Sequence, residues 1–345
     1  AQGLTSATIG NLNNHIGAPL TMARLPESAA FAVVELGMNH AGEIGPLSRM
    51  VRPEVALITR IAPAHIEFFD SLDGIADAKA EIFEGLQPGG TAIVNADDGY
   101  PDRLGAAALR AGAARVMRFG EASNADARLV RLGLHSDRTE VEANVLGQRI
   151  AYEIGVPGKH WALNSLGVLL AAGSLGVDPV AAAEALAAIR PPAGRGATER
   201  LTLPQGRITL IDESYNASPA AMQAAFAVLT AHEPPTGGRR IAILGDMLEL
   251  GHAAPAEHAA LGDHLAELPV DLVYAAGPEM AAMVQRLRPD QRAGYAADTA
   301  AIANEIVPGL AAGDVVLVKG SLGIKMARIV DSLRAAVAAG SVREE

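Results

Sequence analysis

The sequence predicts an α/β fold in two blocks: a mostly parallel sheet with a small antiparallel part, then a second, doubly wound domain. Three observations predict it. Short apolar runs alternate with helix-forming stretches through most of the 345 residues, the pattern of a parallel sheet covered on both faces. Between residues 115 and 158 that alternation gives way to polar–apolar stretches with little helix signal. It restarts after PPAGRGATER at 191–200, a segment of linker composition. The domain limits expected from this are 1–190, a linker at 191–199, and 200–345.

In chain order, Phe31-Ala32-Val33-Val34 reads as a buried strand, with Glu35 at its end. A buried carboxylate is costly unless a cation or hydrogen-bond donors meet it, so Glu35 faces either a structural partner or a site. Residues 55–61 and 91–96 read as further strands, with the helix-forming ADAKAEIFEGL (76–86) between them, closed by Pro88-Gly89-Gly90. Residues 115–120 and the stretches up to 158 read as a small antiparallel insertion. Ala-rich helices are expected at 161–175 and 178–189. Beyond the linker, strands are expected at 208–212, 240–246, 271–277, 293–298 and 314–320, with helices between them.

Half of the residues are apolar and 3% are aromatic, so cores of ordinary size with close, Ala-rich helix contacts are expected. The net charge of −11 argues against a nucleic-acid partner. The chain has no cysteine, which excludes disulfides, zinc-thiolate sites and a thiol nucleophile. No signal peptide opens it. The longest apolar run, LGVLLAAGSLGV, is broken by Gly173 and Ser174 and followed by Asp178, so no membrane insertion is expected. A cytoplasmic monomer fits these features. The chain opens AQGLTSATIGNLNN without an initiating Met, and the expectation is that an upstream segment has been lost or cut.

Ligands of open α/β sheets sit outside the carboxyl ends of the strands. Polar residues recur there: Glu35, Asn39 and His40; His65 and Glu67; Asn95, Asp97 and Asp98; Asp212 to Asn216; Asp246 and Glu249; Lys319 and Ser321. One such residue is more often a helix cap than a ligand; their repetition points to a polar cleft. Glu35 and His65 form a sensible cation pair, acceptable to Mg²⁺ and more so to Mn²⁺. From spacing alone Lys79 reads as a surface lysine paired with a nearby acid such as Glu84 or Asp77. No Gly-x-x-x-x-Gly-Lys-[Ser/Thr] loop occurs in these residues.

Taken together and in order, GNLNNHIGAPL, ELGMNHAGEI, ADAKAEIFEGL, GKHWALN, IDESYNASP, GDMLELG and LVKGS resemble the Mur ligases of peptidoglycan synthesis over essentially the whole chain. Among them the strings are most similar to the type that adds D-alanyl-D-alanine to UDP-N-acetylmuramoyl-tripeptide. The resemblance implies an incomplete central P-loop-type ATPase domain, lacking its first strand and phosphate loop, and a Rossmann-like C-terminal domain. It implies an ATP-dependent amide ligase working through an acyl phosphate, with Mg²⁺ or Mn²⁺ bridging the anions. On the resemblance Glu35 and His65 are metal ligands, and Lys79 is carbamylated by CO₂ so that it holds a second metal. Asn14 lies near the transferred phosphate. His160 and Asn164 handle the adenine, although Trp161 stands where the family usually has Asn. Arg195 reaches an ATP phosphate, Asp212 or Glu213 contacts the nucleotide, and Tyr215, Asn216 and Lys319 face the entering dipeptide. The segment 191–198 is expected to hinge. Without the phosphate loop, residues 1–345 alone are expected to be inactive. Two readings stay open beside this one: another Mur or folylpolyglutamate-type ligase, and a non-catalytic scaffold that lost the loop.

Overall fold

The computed structural model describes residues 3–62 and 66–341. Residue contacts divide the chain into two units: Ala1–Leu132, Glu140–Glu153 and Ala162–Ala187 form the first, and Gly133–Thr139, Ile154–Trp161 and Ala188–Glu345 the second.

The chain begins with β1 (Thr5–Ala7), α1 (Gly17–Ala23), β2 (Phe31–Val33), α2 (Ile44–Val51), β3 (Val55–Ile58) and α3 (Leu72–Ala80), the last running into a 3₁₀ turn. It continues through β4 (Thr91–Asn95), α4 (Pro101–Arg110), β5 (Arg115–Gly120), β6 (Ala127–Leu134), β7 (Thr139–Val145), β8 (Gln148–Ile154), α5 (Lys159–Ser174) and α6 (Pro179–Ala185). Strands β3 to β8 form one sheet in sequential order, with β3 to β6 parallel. β4 is buried along its whole length, as a central parallel strand should be. Its neighbours in the core include Ile75, Phe83 and Leu104, each with no exposed surface; each such side chain contributes roughly 1.5–3 kcal/mol through burial. Asx and Ser side chains set helix starts: Ser71 accepts from the Gly74 amide at α3, and Asp178 from the Val180 and Ala181 amides at α6. β7 turns into β8 through Leu146 and Gly147, both at positive φ (52° and 85°), the geometry of a tight hairpin turn.

Two sequence expectations fail in this unit. Residues 115–120 are not antiparallel; β5 pairs in parallel with β4 and β6. Residues 31–34 are not a buried strand. β2 is three residues long and pairs with β1 in a separate two-stranded parallel sheet, and Val33 is 60% exposed. Apolar composition alone could not tell a two-stranded ribbon from an interior strand.

The second unit carries β9 (Ala197–Leu203), β10 (Gly206–Glu213), α7 (Pro219–Ala231), β11 (Arg240–Gly245), α8 (Ala254–Glu267) and β12 (Leu272–Ala276). Then come α9 (Met280–Arg286), β13 (Arg292–Ala296), α10 (Thr299–Gly309), β14 (Val315–Lys319) and α11 (Ala327–Ser341). The sheet order is β13-β12-β11-β14-β10-β9. All pairs are parallel except β9 with β10. β11, β12 and β13 step outward, and the chain then returns to insert β14 between β11 and β10. Such a reversal opens a crevice at the carboxyl ends of the strands on either side of it. β9 was absent from the expected strands. It begins at Ala197, so the end of the expected linker is strand. At the opposite rim the Arg239 guanidinium bonds the fully buried Asp314 carboxylate, and a Cβ on Gly238 would lie 2.3 Å from the Gly313 carbonyl oxygen.

Candidate active site

In the first unit the loop after β2 is built around Asn13 and Glu35. The Glu35 amide donates to Thr8 Oγ1 at 2.9 Å, and Glu35 Oε1 accepts from Asn13 Nδ2 at 2.7 Å. Gly37 donates to the Asn13 carbonyl, and a Cβ there would sit 2.8 Å from the Asn13 side chain. Glu35 is exposed rather than buried. That answers its placement: one oxygen is steadied by an amide and the side chain looks outward.

The neighbouring Asn14 is used differently. Its Oδ1 accepts from the Ile16 and Gly17 amides and orders the turn that leads into α1. Asn13 was missed by sequence reasoning because nothing in the pair Asn13-Asn14 says which one turns toward the acid.

Residues 39–45 are held by two carboxylates. Glu43 accepts from the Asn39 and His40 amides, and the Asn39 bond is foremost in keeping its carboxyl below the usual range. Glu81 accepts from the Gly42, Ile44 and Gly45 amides at 2.6, 3.1 and 3.0 Å. Glu81 thereby ties the loop that follows Glu35 to the end of α3, two residues from Lys79. It too escaped the sequence reading, since an acid within a helical run carries no special signal.

Lys79 is half-buried on α3, and burial pushes its ammonium below the usual lysine range, with Asp98 opposing. Pairing with Asp77 or Glu84 is not what forms. Asp77 takes two bonds from Arg103, both 2.7 Å, and Glu84 bonds Arg49. Asp98 itself accepts from the Ile61 and Tyr100 amides.

His65 lies outside the described residues. Among the described residues no three His, Cys, Asp or Glu gather as a metal cage. An outward-facing carboxylate such as Glu35 does fit Mg²⁺, which keeps waters and phosphate oxygens as its other ligands.

In the second unit, Arg195, Asp212, Glu213, Tyr215, Asn216, Lys319 and His160 come together at the β10 and β14 ends. Lys319 is 2% exposed; its ammonium donates to Glu213 Oε2 and to the Asn216 carbonyl, both at 3.0 Å. Its role in this geometry is to hold the 213–216 turn, while Asn216 presents its side chain at the surface. Asp212 is buried, accepting from the Ser214 hydroxyl at 2.6 Å and from Arg334 at 3.3 Å. Of the two acids, Glu213 is the less buried. The Arg195 guanidinium stacks 4.3 Å from the centre of the Tyr215 ring. Gly194 accepts from the Tyr215 amide, and Gly196 donates to the Asp212 carbonyl, folding the linker onto β10.

His160 Nδ1 is buried without a hydrogen-bond partner, and burial lowers its pKa, with Glu213 and Lys319 acting in opposite senses. Its ring lies 5.6 Å from Trp161, tilted. Asn164 follows on α5, half-buried, and belongs to the first unit.

A parallel sheet with polar residues at its strand ends, followed by a second sheet with its own switch-point crevice, defines a two-unit α/β protein of the class that binds ligands at strand ends. The chain belongs to the Mur ligase family: residues 1–172 match the Mur ligase middle domain, and 198–322 the Mur ligase glutamate ligase domain. Its curated relatives are more specific. It is 35% identical over 335 residues to the UDP-N-acetylmuramoyl-tripeptide--D-alanyl-D-alanine ligase of Escherichia coli K12, covering 96% of this chain and 71% of that one. The ligase of that name from Mycobacterium tuberculosis H37Rv is 30% identical over 363 residues, covering 99% of this chain and 70% of the relative. Among solved structures, MurF of Acinetobacter baumannii superposes with a TM-score of 0.85 at 30% identity, over 97% of this chain and 71% of that one. MurF of Thermotoga maritima, in complex with ADP, gives 0.81 at 25% identity, over 98% and 75%.

Proposed function

We propose that the chain is an ATP-dependent amide ligase that joins D-alanyl-D-alanine to UDP-N-acetylmuramoyl-tripeptide in peptidoglycan precursor synthesis. The observation that carries this is the 35% identity to an enzyme of that name across 96% of the chain. The reaction phosphorylates the tripeptide's terminal carboxylate with ATP, releasing ADP. The neutral amine of the dipeptide then attacks the acyl carbon, and phosphate leaves. No helix among the described residues is long and apolar enough to cross a membrane, and the need for ATP suits the cytoplasm.

The residues take these roles in the proposal. Glu35, with His65, would hold Mg²⁺ or Mn²⁺, and the cation would supply charge neutralisation for the reacting anions. Asn13 fixes the Glu35 carboxylate in its outward rotamer, and Asn14 orders the turn beside the transferred phosphate. His160 and Asn164 receive the adenine. Arg195, with its guanidinium over the Tyr215 ring, reaches a phosphate, and Glu213 takes the ribose. Asn216 and Tyr215, ordered by Lys319, meet the dipeptide.

Lys79 is carbamylated: its amine adds to CO₂ and loses one proton, giving an anionic carbamate whose oxygens suit a hard cation. Its burial supports this, because only the uncharged amine reacts. A ¹³C-bicarbonate NMR signal that disappears in Lys79→Ala is the test; an identical signal in the variant counts against carbamylation.

The ligase reading is tested by phosphate release in the full-length protein. Release should require both the UDP-tripeptide and D-alanyl-D-alanine. Release driven equally by glutamate or another amino acid would point to a different ligase of the family.

A further inference from the structure

The second unit holds a buried histidine that the proposed chemistry does not use. His258, on α8, has no exposed surface. Its Nδ1 lies 2.7 Å from the Ala254 carbonyl oxygen, and its Nε2 lies 3.0 Å from the Met247 amide nitrogen. A carbonyl only accepts and an amide only donates. Both bonds form only when the ring is neutral and carries its proton on Nδ1. The ring is thus a fixed acceptor for one backbone amide, and Met247 is itself 1% exposed.

That amide opens the 246–251 loop, which leaves β11 beside the crevice. Glu249 within it sits at φ 63°, a left-handed conformation unfavourable for a residue with a side chain. The next amide, Leu248, donates to Ser321 Oγ at 2.9 Å, and the Ser321 amide donates to the Asp246 carbonyl. The Ser321 hydroxyl also reaches the Ala217 carbonyl at 3.5 Å. A Cβ on Gly323 would lie 2.8 Å from Leu248 Cδ1. Beside the ring, the Asp246 carboxylate is filled by the Met280 amide at 2.9 Å and packed against Gly277, 4.0 Å from Nε2. Hydrogen bonds, joined across the covalent Met247–Leu248 link, therefore connect His258 through Ser321 to Ala217, next to Asn216 and Lys319.

We propose that His258 is a positioning residue for the amine substrate. Its Nε2 lone pair ties the strained 246–251 loop to α8, Ser321 ties the same loop to the turn after β14, and together they set the wall beside Asn216. This rests on the reading that Asn216 faces D-alanyl-D-alanine. His258 touches no substrate itself.

The test uses three variants of the full-length enzyme, His258→Leu, His258→Gln and Ser321→Ala, each read two ways. Hydrogen–deuterium exchange at 246–251 should accelerate about tenfold or more in His258→Leu and in Ser321→Ala, with β10 and β14 still protected. Gln can present an oxygen where Nε2 stands, so His258→Gln should restore protection. In steady-state assays the KM for D-alanyl-D-alanine should rise about fivefold or more in the first and third variants, with the KM for ATP unchanged. Gln should recover most of it. If His258→Leu does not fold, Ser321→Ala breaks the same path from its other end and decides the matter. Faster loop exchange with an unchanged dipeptide KM overturns the proposal, as does a rise confined to the KM for ATP. A wild type that turns over without D-alanyl-D-alanine overturns the functional reading, and with it the assignment to the amine side, while the exchange data still report whether His258 holds the loop.

Discussion

The two clusters of polar residues are built on opposite terms. At the end of β10 and β14 the charges are paired inside the protein: Lys319 with Glu213, Asp212 with Ser214 and Arg334. At the end of β2 the carboxylate of Glu35 is exposed and accepts from the Asn13 side-chain amide, while the Glu35 backbone amide donates to the Thr8 hydroxyl. The first arrangement is ordered before any ligand arrives. The second leaves an exposed carboxylate with no ion-pair partner among the described residues. A buried pair is destroyed by removing one partner, because the other charge is stranded. An exposed acid can be removed with little structural cost, so its loss reads out as chemistry.

Lys319→Met should show the largest effect. It strands Glu213 and is expected to destabilise the second unit by about 3 kcal/mol or more in urea unfolding. The double variant Lys319→Met/Glu213→Leu should recover much of that loss; a double variant no more stable than the single would mean the pair is not what holds the turn. Glu35→Gln should cut kcat/KM about 100-fold, near 2.7 kcal/mol in the barrier, while stability moves by under about 0.5 kcal/mol. A variant that loses stability and activity together would erase the contrast between the clusters. Asn13→Ala should sit between, with activity down about tenfold and partly restored by raised Mg²⁺, since it frees the Glu35 rotamer without removing the charge.

The smallest expected effect lies away from both clusters. Tyr152 is buried, its hydroxyl 2.7 Å from Ser165 Oγ, and burial pushes its pKa from 10.0 up to about 12. Tyr152→Phe should cost about 1 kcal/mol near neutrality. Between those two pKa values the folded state keeps a proton that the unfolded chain has lost, so stability falls as pH rises. The wild type should lose stability more steeply there than the Phe variant. Equal slopes would mean that folding does not raise the Tyr152 pKa.

Most of the parallel architecture was legible because buried strands such as 91–95 and 315–319 carry uninterrupted apolar runs, at 92–94 and 315–318, bracketed by turn residues. β9 was not. Its sequence, ATERLTL, opens on three consecutive polar residues after Ala197, beside a Gly- and Pro-rich segment, and antiparallel pairing with β10 is a tertiary choice. The strand-end rule located the polar residues but not their roles. It could not say that Lys319 would be buried, that Asp212 would be consumed by Ser214 and Arg334, or that Asn13 rather than Asn14 would meet Glu35. Those outcomes depend on which rotamer packing selects, and on partners such as Arg334 that are 122 residues away.

At the amino-terminal rim of the second sheet, Gly238 and Gly313 touch backbone to backbone, with the Arg239–Asp314 pair alongside. That seam fastens the edge farthest from the crevice with main-chain contacts that tolerate no added side chain at Gly238. An engineer seeking a different incoming amine can therefore rebuild the turns after β11 and β14 as replaceable parts, provided this fastening is left untouched.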